Sequence, residues 1–357
     1  MKIVRAEVTA LSIPLKAPFT IAFHTTTDAE LILVKLVSDG PHIGIGVAAP
    51  FGAVTGESFD VCKDALESRL PNWIEGRTLE HPDIFCREAV DQFSGLPAAR
   101  AAIDMALYDL WGRMLDKPVV ELLGRAHSSM PTSMTMGIRT MEESLAEATA
   151  FLGMGYTVLK VKGGSNIEHD VELLSKLREK YGDSIVLRSD LNQGYTKDTL
   201  KDFIERTQAL NLEMIEQPFP VDAIEDNFAF PEAERMRFAA DENACNETDA
   251  LSLADPPHAA GIINIKLMKC GGIYSGLRMA TIADVAGQQT MWGCMIESVV
   301  GLSAALHAAF ARPNTGYLDL DGDWDLVEDI ATGGMHLENG ILRTVDAPGL
   351  GVTLKND

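Results

Sequence analysis

The sequence predicts an α/β protein: a (β/α)8 TIM-like barrel with an N-terminal α+β capping domain that the C-terminal segment completes. Three observations carry this. From about residue 131, short apolar strand-like runs alternate with polar amphipathic stretches, spaced by the length of a βα unit, about 25 residues. Eight such runs follow one another, the number that closes a parallel barrel. Six of them end in charged residues, where barrels of this kind gather their functional groups.

The elements follow in order. Residues 1–125 read as the capping domain. Runs 3–14 and 30–38 look like strands, and "SDGPHIGIG" supplies the turn chemistry of a β-meander. From Glu57 the pattern turns helical, and "ARAAIDMALYDLWGRMLDK" (99–117) reads as a long amphipathic helix. Residues 126–325 read as the barrel domain, with strands at 132–138, 157–163, 185–190, 213–217, 236–241, 261–267, 290–295 and 316–321. Residues 326–357 read as a return to the cap. No low-complexity linker interrupts the chain.

Composition narrows the function. At 357 residues and 46% hydrophobic, the chain is long enough for a large core. A net charge of −22 argues against nucleic acid and against anionic membrane surfaces, so the expected partner is a small molecule. Cys62, Cys86, Cys245, Cys270 and Cys294 are odd in number and scattered, which suits a reducing cytoplasm. The start, "MKIVRAEVTALSIPL", alternates like a strand and has no continuous apolar h-region, so no signal peptide is expected. Nothing approaches a membrane span. A homo-oligomer is expected, as for many such barrels.

The strand ends carry the chemistry. "TVLKVKGG" (157–164) places Lys160 and Lys162 on one face of an apolar strand. Two buried cations side by side are costly without partners. "IVLRSDLNQG" offers Asp190 and Asn192, "MIEQP" offers Glu216, and "RFAADEN" offers Asp241 and Glu242. "IINIKLMKCGG" offers Lys266, and "YLDLDGD" offers Asp319 and Asp321. One acidic group at a strand end is usually a helix cap or a solvated charge; six charged strand ends in phase are not explained that way. Asp190, Glu216 and Asp241 on adjacent strands form a hard-oxygen set suited to one Mg²⁺ per subunit. No histidine or cysteine lies among them, which argues against zinc. "GIGVAA" (44–49) imitates a dinucleotide fingerprint, but Pro50 and a loop follow it, not a helix.

The motifs "KVK" (160–162), "DLN" (190–192), "EQP" (216–218), "DE" (241–242) and "NIKLMKCGG" (264–272) resemble the enolase superfamily, muconate-lactonizing subgroup. Within it, the D-x-D of Asp319 and Asp321 is most similar to the dipeptide epimerases, where such a pair binds the α-ammonium of the dipeptide. The resemblance implies Lys162 and Lys266 as two opposed bases. It also implies substrate contacts at Lys160 and Thr135, with Cys294 and Met295 lining the pocket. The activity implied is inversion of the C-terminal residue of an L,L-dipeptide through an enediolate, with a Lys base and Mg²⁺ as in enolase-superfamily sites. The Lys160 cation and the metal would both disfavour a charged Lys162 and lower its pKa. A cycloisomerase or an o-succinylbenzoate synthase of the same subgroup shares the lysines and metal ligands but has no need of Asp319 and Asp321.

Three departures from the family pattern stand out. His24 occupies the place of an arginine that reads a glutamate side chain in Ala-Glu epimerases, and neutral imidazole makes no bidentate clamp. Asn243 replaces a usual serine, and Val47 a usual glutamate. With Phe19, Ile21 and Phe23 beside His24, neutral or hydrophobic side chains are expected over Glu.

Overall fold

The computed structural model describes residues 1–22 and 24–355. Phe23 therefore lies outside the described residues. The cap opens with a three-stranded antiparallel sheet, Ile3–Ile21, His24–Ser38 and Ile43–Ala48. The first two strands extend well beyond the runs expected for them and form a long two-stranded arm. Pro14 and Pro18 hid this: proline supplies no ladder N–H, and the register slips between Pro14 and Phe19. Helices Phe59–Ile74, Pro82–Gln92 and Pro97–Met114 follow. The third cap strand lies directly on the last of these. A Cβ on Gly46 would stand 1.9 Å from the Ala102 carbonyl oxygen, so only glycine allows that approach.

The eight expected barrel strands are all present: Ser133–Met136, Val158–Lys162, Val186–Asp190, Met214–Glu216, Phe238–Ala240, Ile262–Lys266, Gln289–Gly293 and Thr315–Asp319. They form one parallel sheet in chain order. A parallel bridge from Thr132 to Leu318 joins the last strand to the first. Helices such as Met141–Gly153, Ile167–Tyr181, Lys197–Thr207 and Val299–Phe310 cover the outside. The βα repeat is not uniform. After Met214–Glu216 the chain makes 3₁₀ turns over Val221–Ala229, and after Thr315–Asp319 it enters short β-segments.

Two of those β-segments form a sheet with Met130–Pro131, and residues flanking the segments touch the cap. The Val327 N–H donates to the Pro14 carbonyl, and Leu15 pairs with Leu326. Asp109, buried in the cap helix Pro97–Met114, accepts from the Ile45 and Leu350 N–H groups and from Arg113. Asp104, one turn earlier, accepts from the Ile273 and Tyr274 N–H groups and caps a barrel helix. The arm is thereby held over the carboxyl ends of the barrel strands. All five cysteines are free. No helix among the described residues is long and apolar enough to cross a membrane.

Candidate active site

Val158, Leu159 and Val161 build the second barrel strand, and its alternation turns Lys160 and Lys162 to the interior. Lys160 is 2% exposed. Its Nζ lies 2.7 Å from Glu216 Oε2, 2.8 Å from Asp319 Oδ2 and 3.1 Å from Asp190 Oδ2. Burial alone would lower its pKa, but Asp319, Glu216 and Asp190 together hold it well above the usual lysine value. Lys162 stands nearer the opening and donates to Asp190 Oδ2 at 2.7 Å.

Lys266 ends the sixth barrel strand, four strands around an eight-strand ring from Lys162, and so faces it across the mouth. It donates to Asp241 Oδ2 at 2.7 Å. Burial opposes its charge; Asp241, chief among the groups that favour it, keeps Lys266 above the ordinary range.

Asp190, Glu216 and Asp241 are fully buried, and each offers an oxygen within 4.8 Å of the others. Glu216 Oε1 accepts from Asn264 at 2.8 Å, while Oε2 makes no aligned hydrogen bond and faces the Lys160 ammonium at 2.7 Å. Burial and the neighbouring Asp190 push Glu216 up to about 8. Asp241 is held well below the carboxylate range: Lys266 and Lys269 outweigh its burial. Three buried carboxylate oxygens this close to one another fit a hard divalent ion.

The strand ends turn sharply here. Asn192, Gln193 and Gln217 have φ of 40°, 67° and 38°, unusual for residues other than glycine. Gln217 fixes its turn by accepting from the Asp241 and Asn243 N–H groups and donating to Asn243 Oδ1. Asn243 thus serves this turn and makes no contact with the two lysines.

Asp319 accepts from Lys160 and from the Ser133 hydroxyl at 2.6 Å. Asp321 accepts from the Thr135 N–H at 2.6 Å. The Thr135 hydroxyl also points at Asp319, 3.4 Å away, so Thr135 orients the acidic pair as well as lining the cavity. Burial raises both acids. Lys160 reverses this for Asp319, to about 2, whereas Asp321, facing Asp319, rises to about 7.

A cavity of about 440 Å³ spans these groups and the cap. Its floor holds Lys160, Lys162, Lys266, Asp241, Asp319 and Asp321, with Thr135, Cys294 and Met295 on the wall. The arm roofs it with Phe19, Ile21 and His24, whose ring meets Phe51 edge-on at 5.2 Å. Asp28, Glu30 and Asp325 also line it.

Two buried groups were not assigned roles from the sequence. Lys269 lies one turn past Lys266, and its Nζ reaches Asp241 Oδ1 at 2.5 Å and the Asn264 carbonyl at 3.0 Å. The K-x-x-K spacing across a strand-to-helix junction was its available signal. Glu297, after the seventh strand, had none.

The description "Mandelate racemase / muconate lactonizing enzyme, N-terminal domain" matches residues 3–124, and "Enolase C-terminal domain-like" matches residues 143–357. An L-Lys-D/L-Arg epimerase of Methylococcus capsulatus is 46% identical over 99% of each chain. A crystal structure of the dipeptide epimerase from Methylococcus capsulatus, complexed with Mg and the dipeptide L-Arg-D-Lys, superposes with a TM-score of 0.96, 46% identity and coverage of 99% of this chain and 100% of that one. The Enterococcus faecalis dipeptide epimerase, complexed with Mg and L-Leu-L-Tyr, gives a TM-score of 0.92 at 33% identity, covering 99% and 100%. Magnesium is thus the ion held in these relatives, and the buried acidic triad supplies a fitting site for it here. The chain belongs to the enolase superfamily, with a mandelate racemase/muconate lactonizing enzyme type of N-terminal domain, and within it to the dipeptide epimerases.

Proposed function

We propose that this protein inverts the C-terminal residue of L,L-dipeptides by 1,1-proton transfer, with Lys162 and Lys266 as the two bases. The observation that carries the reading is their placement on opposite sides of one buried acidic triad. Asp190, Glu216 and Asp241 would hold Mg²⁺, which supplies charge stabilisation to the substrate carboxylate when its α-carbon loses a proton. Lys162 and Lys266 approach that carbon from opposite faces; one accepts a proton and the other delivers one, so configuration inverts. Lys160, locked among carboxylates, contributes a fixed positive charge beside the substrate carboxylate. Asp319 and Asp321 receive the α-ammonium, and Thr135 sets their orientation.

His24 and the apolar roof support the expected exclusion of Glu, since the lysines among the described cavity-lining residues are already paired with carboxylates. For the side chains that are accepted, the outer wall favours cations over purely apolar groups. Asp28, Glu30 and Asp325 line it, and the lysines of the floor are already paired. The L-Lys-D/L-Arg name of the Methylococcus capsulatus relative supports the same choice. The test is kcat/KM for Lys-Arg-type, Leu-Tyr-type and Ala-Glu dipeptides in deuterated water, following α-deuterium by mass. The expected order is cationic, then apolar, then Ala-Glu. A preference for Ala-Glu would overturn the specificity, and no exchange with any dipeptide would overturn the activity.

A further inference from the structure

Each carboxylate of the triad uses its two oxygens differently. One oxygen is held by a donor built into the scaffold. Asp190 Oδ1 accepts from the Asn192 N–H at 3.0 Å, Glu216 Oε1 from Asn264 Nδ2 at 2.8 Å, and Asp241 Oδ1 from Lys269 Nζ at 2.5 Å. The other oxygen faces a lysine that lines the cavity. Asp190 Oδ2 lies 2.7 Å from Lys162, Glu216 Oε2 2.7 Å from Lys160, and Asp241 Oδ2 2.7 Å from Lys266. Asn264 and Lys269 are buried and are not among the described residues that line the cavity.

The inner donors have little freedom to leave. Lys269 Nζ also meets the Asp241 carbonyl at 2.5 Å and the Asn264 carbonyl at 3.0 Å, so its three donors are all used. The Asn264 amide is confined by Gly293, where a Cβ would stand 2.8 Å from Asn264 Oδ1. Turning both oxygens of one carboxylate toward an ion would strip a buried donor of its acceptor, which is costly. Glu242 keeps a buried oxygen without a hydrogen-bond partner, but it is outside the group whose oxygens lie within 4.8 Å of one another.

We propose that Lys269 and Asn264, together with the Asn192 N–H, make the triad selective for its ion. By holding one oxygen of each carboxylate they leave three single oxygens. That set suits the octahedron of Mg²⁺ and withholds the bidentate carboxylates that the larger, more flexibly coordinated Ca²⁺ accepts. The inference rests on the triad being the metal site. Titration calorimetry of the full chain with Mg²⁺ and with Ca²⁺, without substrate, tests it through the ratio of the two Kd values. Loss of the charge at Lys269 changes both Kd values by a similar factor and leaves the ratio, whereas a freed oxygen changes the ratio. Wild type should bind Mg²⁺ the more tightly. Lys269→Met should shift the ratio toward Ca²⁺ roughly tenfold or more, and Asn264→Ala about threefold or more. Asn264→Ala changes no charge and serves alone if the methionine variant does not fold. A common factor for both ions in a variant, or a shift toward Mg²⁺, overturns the role of the substituted residue. Tighter binding of Ca²⁺ than of Mg²⁺ by wild type overturns the proposal as a whole while leaving the triad a metal site. Binding of neither ion by wild type overturns the triad as a metal site and the proposal with it.

Discussion

Lys160 and Lys162 sit two residues apart on one strand but have different surroundings. Both border the cavity, but Lys160 touches three carboxylates and is 2% exposed, whereas Lys162 touches one and stands nearer the opening. A base must release its partner and reach substrate, which Lys162 can do at the cost of one ion pair. Lys160 cannot do so without stranding several buried charges. Lys162→Ala should therefore abolish epimerisation, by a factor of about 10³ or more, while Lys266 still exchanges the α-proton of one epimer. Mass spectrometry of each epimer in deuterated water checks this, and wild-type inversion by the mutant would remove Lys162 from the mechanism. Asp241→Asn should weaken Mg²⁺ binding and stop turnover together, because the residue is at once a triad member and the anchor of Lys266 and Lys269. Full turnover by this variant in excess chelator would exclude the metal role.

At the scale of elements, the cap is as necessary to the site as the barrel, because its arm forms the cavity roof. The arm is aimed by the sheet beneath it, and that sheet is set by close packing on helix Pro97–Met114. Gly46→Ala drives a methyl into the Ala102 carbonyl and should destabilise the fold by roughly 1–3 kcal/mol. Chemical denaturation measures this; an unchanged midpoint would show that the cap tolerates a shift there. The barrel strands were legible because two periodicities coincide on them, the spacing of apolar runs and the phase of the charges. The acidic triad and the lysines inherited that clarity. The arm was not legible beyond Pro14, since prolines and threonines erase the alternation that marks a half-buried strand. Glu297 was not legible either: only the fold shows its carboxyl buried with one oxygen lacking a hydrogen-bond partner. The acidic outer wall escaped for the same reason, as Asp28, Glu30 and Asp325 converge from the arm and the C-terminal side of the barrel.

At the scale of the molecule, burial of acids couples folding to pH. Away from the triad, burial raises Asp104 and Glu147 to about 7, Asp323 to about 6 and Glu297 to about 8. Each folded-state value exceeds the unfolded one, so the folded chain binds more protons between the two. Stability from these groups is full below about pH 4 and is lost as pH rises through 6 to 8. Asp319, lowered to about 2 because Lys160 outweighs its burial, acts in the opposite direction, and its contribution is lost only below about pH 4. In chelator, Tm should therefore be higher at pH 5.5 than at pH 8.5. Mg²⁺ should narrow that gap. Glu216, raised to about 8, must give up its proton to ligate a cation, so the ion binds more weakly at the acid end and raises Tm more at the alkaline end. Thermal scans at the two pH values, with chelator and with saturating Mg²⁺, measure both effects. A metal-induced rise in Tm that is equal at pH 5.5 and 8.5 would mean that ion binding displaces no proton from the triad, and would remove Glu216 as a ligand that titrates in this range.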